Sequence, residues 1–191
     1  MAAGNVDRRR SELATSEPRD LGSYIRSIPD FPKPGIVFRD ITPLLASPAG
    51  LGASLAALTD LTRHLQPDIV IGAEARGFLF GPALAHSLGA GFVLARKPGT
   101  LPHRTIRHEY ALEYASSVLE VHEDAIPAGA RVLVHDDLLA TGGTARALCR
   151  LAEQLGGEVV GCAFLIELAF LAGREALADY DVHALIRYDE E

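Results

Sequence analysis

Five apolar runs recur along this chain: "DIVIGA" (68–73), "GFVLARK" (91–97), "RVLVHD" (131–136), "EVVGCAFLIEL" (158–168) and "DVHALIRY" (181–188). Their apolar residues are consecutive rather than alternating, so strands built from them must be covered on both faces. Helical patterns lie between them. "GFLFGPALAHSLG" (77–89) predicts one helix, and Thr144–Leu155 predicts another, with Ala147, Leu148, Leu151, Ala152 and Leu155 as its inward stripe and Gly156–Gly157 as its stop. Strands alternating with helices predict an α/β fold with a mostly parallel twisted sheet flanked by helices.

The 191 residues, 48% of them apolar, suffice for one domain with a sizeable core. Residues 1–19 are polar and aperiodic and are expected to form a flexible tail, leaving 20–191 as a single domain. Leu21, Tyr24, Ile25 and Ile28 suggest a short helix stopped by Pro29. A longer helix is expected after Ser47, which can cap it, with Pro48 in its first turn and Leu51, Leu55, Leu58, Leu61 and Leu65 on one face. "ALEY" and "SSVLEVHED" look extended, as in a hairpin, and "GREAL" reads as a helical turn.

Charge removes several function classes. Eighteen basic residues against 25 acidic ones give −7, and "RRR" at 8–10 is the only basic cluster, so no nucleic-acid partner is expected. Residues 77–95 hold no Asp, Glu, Lys or Arg, but four glycines, Pro82 and His86 make them a helix followed by a strand, not a membrane span. The N-terminal segment lacks an apolar core of signal-peptide length. Cys149 and Cys162 are too few and too far apart for a zinc motif or disulfide framework; they read as buried thiols of a reducing, cytoplasmic compartment. His103 and His108 read as loop histidines rather than metal ligands.

The chemistry concentrates in "VLVHDDLLATGGTARA" (132–147). An apolar strand ends in two carboxylates, and Thr141, Gly142, Gly143 and Thr144 then offer hydroxyls and unobstructed N–H groups where a helix begins. A helix N-terminus of that kind binds phosphate. The loop has no "GK[ST]" lysine and no "GxGxxG", which points to a phosphate monoester rather than a pyrophosphate bridge. Asp136 and Asp137 beside an anion site make sense for a ribose 5-phosphate. They can accept hydrogen bonds from ribose hydroxyls, directly or through a hydrated metal, and stabilise positive charge growing on the ring as C1′ loses its leaving group.

This stretch resembles the PRPP-binding signature of the type I phosphoribosyltransferases. "IPDFPKPGIVFRDITPLL", "GAEARGFLFGPALA", "ARKPGTLP", "LEYA" and "LIEL" follow in the order and spacing of the family members that act on adenine, so the resemblance spans residues 20–190. It implies a sheet of the kind already expected, with a small hood and a flexible catalytic loop. It also implies the purine-salvage reaction adenine + PRPP → AMP + pyrophosphate, with Mg²⁺ held mainly by PRPP and water, in a homodimer.

The resemblance also carries residue roles. Asp136 and Asp137 would meet the ribose hydroxyls, and Ala140, Thr141, Gly142, Gly143 and Thr144 the 5′-phosphate. Arg76 of "GAEARG" would face the pyrophosphate, beside a cis peptide at Glu74–Ala75, with Arg96 and Lys97 nearby. Phe38 and Leu168 would cover the two purine faces, while backbone groups of Val37 and Arg39 read the base edge. Residues 101–115 occupy the catalytic-loop position, with Glu113 to move a proton on adenine and Tyr114 to close the site. The chain departs from the family pattern at Ala115, where glycine is usual; at Thr100, where lysine is common; and at His135, where an apolar residue is usual. His135 is either buried and hydrogen-bonded or a source of pH sensitivity. Two rivals remain. One is a phosphoribosyltransferase for xanthine, hypoxanthine or orotate; the other is a PRPP-sensing regulator, which would need a DNA-reading module that the acidic chain and short tail do not provide.

Overall fold

The computed structural model describes residues 20–112 and 115–191. The described residues fall into two compact units, one up to Ala56 and one from Ala57 onward. In the first, the helix expected through Ile28 is only a 3-10 turn, Leu21–Tyr24. Ile25 is already extended, and strand β1 (Arg26–Ile28) pairs antiparallel with β2 (Phe38–Asp40). Four apolar residues make too short a stripe to hold a helix, and pairing satisfies the same backbone groups. The Asp40 carboxylate accepts from Thr42 N and Thr42 Oγ1 at 2.9 and 2.8 Å, which starts helix α1 (Thr42–Ala46). These bonds hold its carboxyl below the usual carboxylate range.

Helix α2 (Pro48–Thr62) begins as expected, with Ser47 Oγ accepting from Gly50 N at 3.1 Å. A 3-10 turn, Arg63–Leu65, ends it. Leu58 and Leu65 are buried, whereas Leu51, Leu55 and Leu61 are partly so.

The second unit contains β3 (Ile69–Ala73), α3 (Gly81–Leu88), β4 (Gly91–Ala95), β5 (Thr105–Leu112), β6 (Ala115–His122), β7 (Arg131–Leu139), α4 (Gly143–Gln154), β8 (Glu158–Leu168) and β9 (Val182–Tyr188). Five strands form an all-parallel sheet in the order β4-β3-β7-β8-β9. The α/β expectation is met, and its reason is visible in the burial. Val132, Val134, Cys162 and Phe164 pack with Leu148, Cys149 and Leu151 of α4 on one face. The intervening Leu133, His135, Ala163 and Leu165 are equally buried on the other. "GREAL" forms the 3-10 turn Glu175–Leu177.

Two boundaries differ from expectation. The helix expected over 77–89 is a 3-10 turn, Arg76–Phe78, followed by the shorter α3, because Pro82 belongs in a first helical turn. Within 101–115, which the family resemblance marks as a loop, residues 105–112 are strand, paired antiparallel with β6 from Thr105↔His122 to Leu112↔Ala115. Among the described residues no helix is long and apolar enough to cross a membrane. Cys149 and Cys162 are buried free thiols with sulfurs 3.7 Å apart, and the hydrogen bond between them, together with burial, pushes the Cys162 thiol up.

Leu148 has no exposed surface and sits where α4 meets the sheet. Leu148→Ala is expected to destabilise the chain by about 2–5 kcal/mol, read as a lower midpoint in chemical denaturation at unchanged m.

Candidate active site

Parallel strands present their carboxyl ends and the following loops to a ligand, and the polar residues singled out above gather there. β7 ends with Asp136, Asp137, Leu138 and Leu139, and α4 starts four residues later. Gly142 takes φ +83°, the left-handed turn that bends the chain from strand into helix. The first N–H groups of α4 have no partners within the helix. They border a cavity of about 150 Å³ lined by Arg76, Asp136 and Ala140–Thr144. A second cavity of about 160 Å³ shares Arg76, Asp136 and Thr144 and adds Glu74, Lys97 and Tyr110. One cavity is thus a cradle around the helix N-terminus, and its neighbour lies between the β3 loop and the β5–β6 hairpin.

Among the described residues, these are the two carboxylates whose pKa burial raises. Asp137 is 2% exposed, and its Oδ1 has no hydrogen-bond partner among the described residues, although Arg76 Nε lies 3.5 Å away. Asp137 N donates to Asp136 Oδ1 at 2.9 Å. Loss of solvent raises both carboxyls above the ordinary range. The adjacent Asp137 charge raises Asp136 further, while Arg76 works against the rise at Asp137. Without a ligand, this pair resists carrying two negative charges. It fits a ligand bringing hydroxyl donors or cationic charge.

His135, directly before the pair, is wholly buried. Its Nδ1 lies 3.0 Å from the Ala163 carbonyl, which can only accept, so Nδ1 carries the hydrogen. Burial lowers its pKa to about 4. The buried, hydrogen-bonded alternative therefore holds, and the ring is neutral at ordinary pH.

The remaining candidates are distributed as follows. Arg76 is half exposed and aimed at the acid pair, and the Glu74–Ala75 peptide is cis. Lys97 lines the second cavity. Arg96 is instead engaged by Glu74, with Nε donating to Oε2 at 2.6 Å, and by the Thr100 carbonyl at 3.1 Å. Glu74 Oε1 also accepts from Lys97 N at 3.0 Å, and the Arg96 bond holds the Glu74 carboxyl below its usual range. Val37, Phe38 and Arg39 lie in the first unit, where the Phe38 ring stands edge-on to Phe31 at 5.2 Å. Leu168 ends β8 in the second unit. Glu113 and Tyr114 lie outside the described residues. His103 and His108 are not both loop residues, since His108 is within β5.

Sequence reasoning missed four positions. Glu74 fixes Arg96 and the Lys97 backbone. Tyr110 brings its hydroxyl 3.3 Å from Thr144 Oγ1, linking the hairpin to the phosphate-type loop. A Cβ on Gly173 would overlap the Ala140 carbonyl oxygen, and a Cβ on Gly142 would fall 2.5 Å from Gly173 O. The segment after β8 therefore forms a backing wall for residues 140–142. Arg174 secures that wall through two 2.8 Å bonds to Glu167 and one of 2.9 Å to Val182 O, and Arg146 reaches Ala176 O at 3.1 Å. Gly173 beside an arginine was the available signal, but nothing local reveals which loop it touches.

Comparison with known proteins agrees with this geometry. The model of the phosphoribosyl transferase domain matches residues 42–185. An adenine phosphoribosyltransferase of Rubrobacter xylanophilus is 62% identical over 171 residues, covering 89% of this chain and 92% of its own. The crystal structure of adenine phosphoribosyltransferase from Thermoanaerobacter pseudethanolicus has a TM-score of 0.87 at 48% identity, covering 90% of this chain and 100% of its own. The Saccharomyces cerevisiae enzyme, crystallised with adenine and an imino-altritol 1,6-bisphosphate, has a TM-score of 0.81 at 39% identity, covering 86% and 96%.

Two outcomes follow from the site's physics. Because the folded-state pKa of Asp136 is raised, its ionisation opposes folding, and ligand-free stability falls as pH rises from about 4 through neutrality. Asp136→Asn is expected to match the parent near pH 4 and to exceed it by at least about 1 kcal/mol at pH 8 in paired denaturation curves; equal curves at both pH values would refute the assignment. Gly173→Ala should destabilise by about 1–3 kcal/mol through overpacking, with faster amide exchange concentrated at residues 140–144.

Proposed function

This chain belongs to the phosphoribosyltransferase family, and we propose that it transfers the 5-phosphoribosyl group of PRPP to adenine, giving AMP and pyrophosphate in purine salvage. The observation that carries the reading is the acid pair, Asp137 buried and Asp136 partly so, a few residues before a left-handed glycine and a helix N-terminus, in a chain whose close relatives bear that activity.

The assigned roles follow from the chemistry. N–H groups and hydroxyls of Thr141–Thr144 take the 5′-phosphate, where the helix N-terminus favours an anion by about 0.3–1 kcal/mol. Asp136 and Asp137 accept from the ribose hydroxyls and face the positive charge that grows at C1′ as its bond to pyrophosphate breaks. Arg76 and Lys97 offset the charge of the leaving pyrophosphate, and Glu74 keeps Arg96 and Lys97 in register with it. A nitrogen of adenine forms the new bond to C1′ and loses its proton, for which Glu113 is the assigned acceptor. Tyr114 is assigned to closing the site against water. Val37, Phe38, Arg39 and Leu168 are assigned to the base on the family pattern.

The acid pair also fits magnesium. It offers hard carboxylate oxygens, and Asp137 Oδ1 is buried with no hydrogen bond of its own. Bound with PRPP, Mg²⁺ would neutralise pyrophosphate charge and orient the substrate, with water completing its shell. Residues 20–191 are read as one catalytic domain of a cytoplasmic homodimer. The family resemblance supports the domain and the dimer, and the reduced buried thiols support the compartment.

AMP formation from PRPP, Mg²⁺ and adenine, run beside hypoxanthine, guanine, xanthine and orotate, tests this. Adenine-selective turnover is expected, falling about 100-fold or more in a folded Asp136→Asn/Asp137→Asn variant. Turnover with another base would sink the base assignment while keeping the transfer chemistry. PRPP binding without turnover on any base would instead favour a sensor.

A further inference from the structure

A second polar constellation lies outside this chemistry, on edge strand β9. His64, in the turn after α2, meets Asp181 and His183 at the start of β9, and one ligand atom from each lies within 4.8 Å of the other two. His183 Nε2 is 3.1 Å from Asp181 Oδ2, and the His64 and His183 rings stand edge to face with centroids 5.6 Å apart. We propose that His64, Asp181 and His183 form a binding site for a zinc-class divalent transition metal, separate from the site of phosphoribosyl transfer.

The donor set selects the ion. Two imidazoles and one carboxylate suit Zn²⁺, Co²⁺ or Ni²⁺, whereas Mg²⁺ prefers all-oxygen surroundings. Three protein ligands leave a fourth tetrahedral position for water or another ligand. Zinc–ligand distances near 2.0–2.2 Å place tetrahedral donors about 3.3–3.6 Å apart. The Asp181–His183 pair, at 3.1 Å, is close to that spacing, and His64 is an exposed side chain that can close the remainder.

A second, independent observation points the same way. His183 Nε2 is buried, yet has no hydrogen-bond partner among the described residues, despite its nearness to Asp181. In the tautomer with its hydrogen on Nδ1, that nitrogen offers a metal an unengaged lone pair. The fold brings the donors together because residue 161 is glycine. A Cβ there would fall 2.9 Å from Leu65 Cδ1 and 3.3 Å from the Asp181 carbonyl oxygen, so its absence leaves room for the turn carrying His64 beside the start of β9. The nearby cation, Arg174, bonds Val182 O but is matched in charge by Glu167. β9 is two strands from β7, so the site lies about 10 Å across the sheet from the strand that carries the acid pair.

The test uses the full chain without any histidine tag, freed of metal and held in millimolar Mg²⁺ and PRPP to occupy the acid pair. Calorimetric titration with Zn²⁺ should give one site per chain, weakened roughly tenfold or more by His64→Ala and by Asp181→Asn. Both substitutions are at exposed positions, so the fold should persist. Co²⁺ in place of Zn²⁺ should show the intensified visible absorption of four-coordinate cobalt, lost in both variants. Zn²⁺ should also raise the Tm of the parent and not that of the variants, since the ion ties the end of α2 to β9. Zinc affinity unchanged by both substitutions, or the absence of any site in the parent, would overturn the proposal.

Discussion

Asp136 and Asp137 stand on consecutive residues of β7 with one half-exposed arginine, 3.5 Å from the more buried of them, to offset their charge. Loss of water and mutual repulsion both disfavour full ionisation, so in the ligand-free protein two negative charges on this pair carry a cost. What a ribosyl phosphate brings is what this pair lacks: hydroxyl donors, an accompanying cation and, during transfer, positive charge on the ring. A ligand of that kind would be favoured partly because it would relieve a cost already present. Much of the surrounding structure serves to keep that cost from being relieved by local collapse. The pair is set in the middle strand of a five-stranded parallel sheet buried on both faces, where main-chain adjustment would break pairing with β3 and β8.

The same requirement explains the architecture of the phosphate-type loop. Its N–H groups must point into the cavity before a ligand arrives if binding is not to spend itself on ordering the loop. Gly142 supplies the turn, but a flexible residue alone would supply disorder as readily. Rigidity comes from behind, where Gly173 lets the 169–174 backbone touch the loop at Ala140 and Gly142. Arg174 then fastens that wall to Glu167, which is buried at the end of β8. Charge-assisted, bidentate pairing to a buried carboxylate is the strong form of this interaction. On the open side the β5–β6 hairpin stands outside the central sheet and touches the loop through Tyr110 and Thr144. The loop is thus backed by the 169–174 wall on one side and touched by the separate hairpin on the other.

Much of this was legible in the sequence, because burial on both faces writes long apolar runs. "EVVGCAFLIEL" became β8 at its stated boundaries, and of the expected α4 stripe Ala147, Leu148, Leu151 and Ala152 are buried, while Leu155, at the helix end, is only partly so. Asp136, the TGGT loop and Arg76 converge on adjoining cavities because strand order brings the ends of β3 and β7 together, with Asp137 buried beside Arg76. Information failed where it was not local. The strand character of 26–28 depends on pairing with 38–40, and that of 105–112 on pairing with 115–122. Gly173 and Glu74 act on segments 33 and 22 residues away, judged from Ala140 and Arg96, and no periodicity encodes such contacts.

His135 shows how a departure from a familiar pattern is resolved by its surroundings. A histidine before two acids would ordinarily suggest a proton relay or a pH switch. Here the ring points to the opposite face from α4, packs near Phe80 and spends its only hydrogen on the Ala163 carbonyl. Protonating Nε2 would put a charge into a wholly buried position with no acceptor, and the pKa falls to about 4 in consequence. The imidazole therefore behaves as a shaped, neutral core residue that cross-links β7 to β8 just below the acids. Responsiveness to pH near neutrality passes to the carboxylates, whose pKa values are displaced upward, toward the range in which the histidine would otherwise have acted.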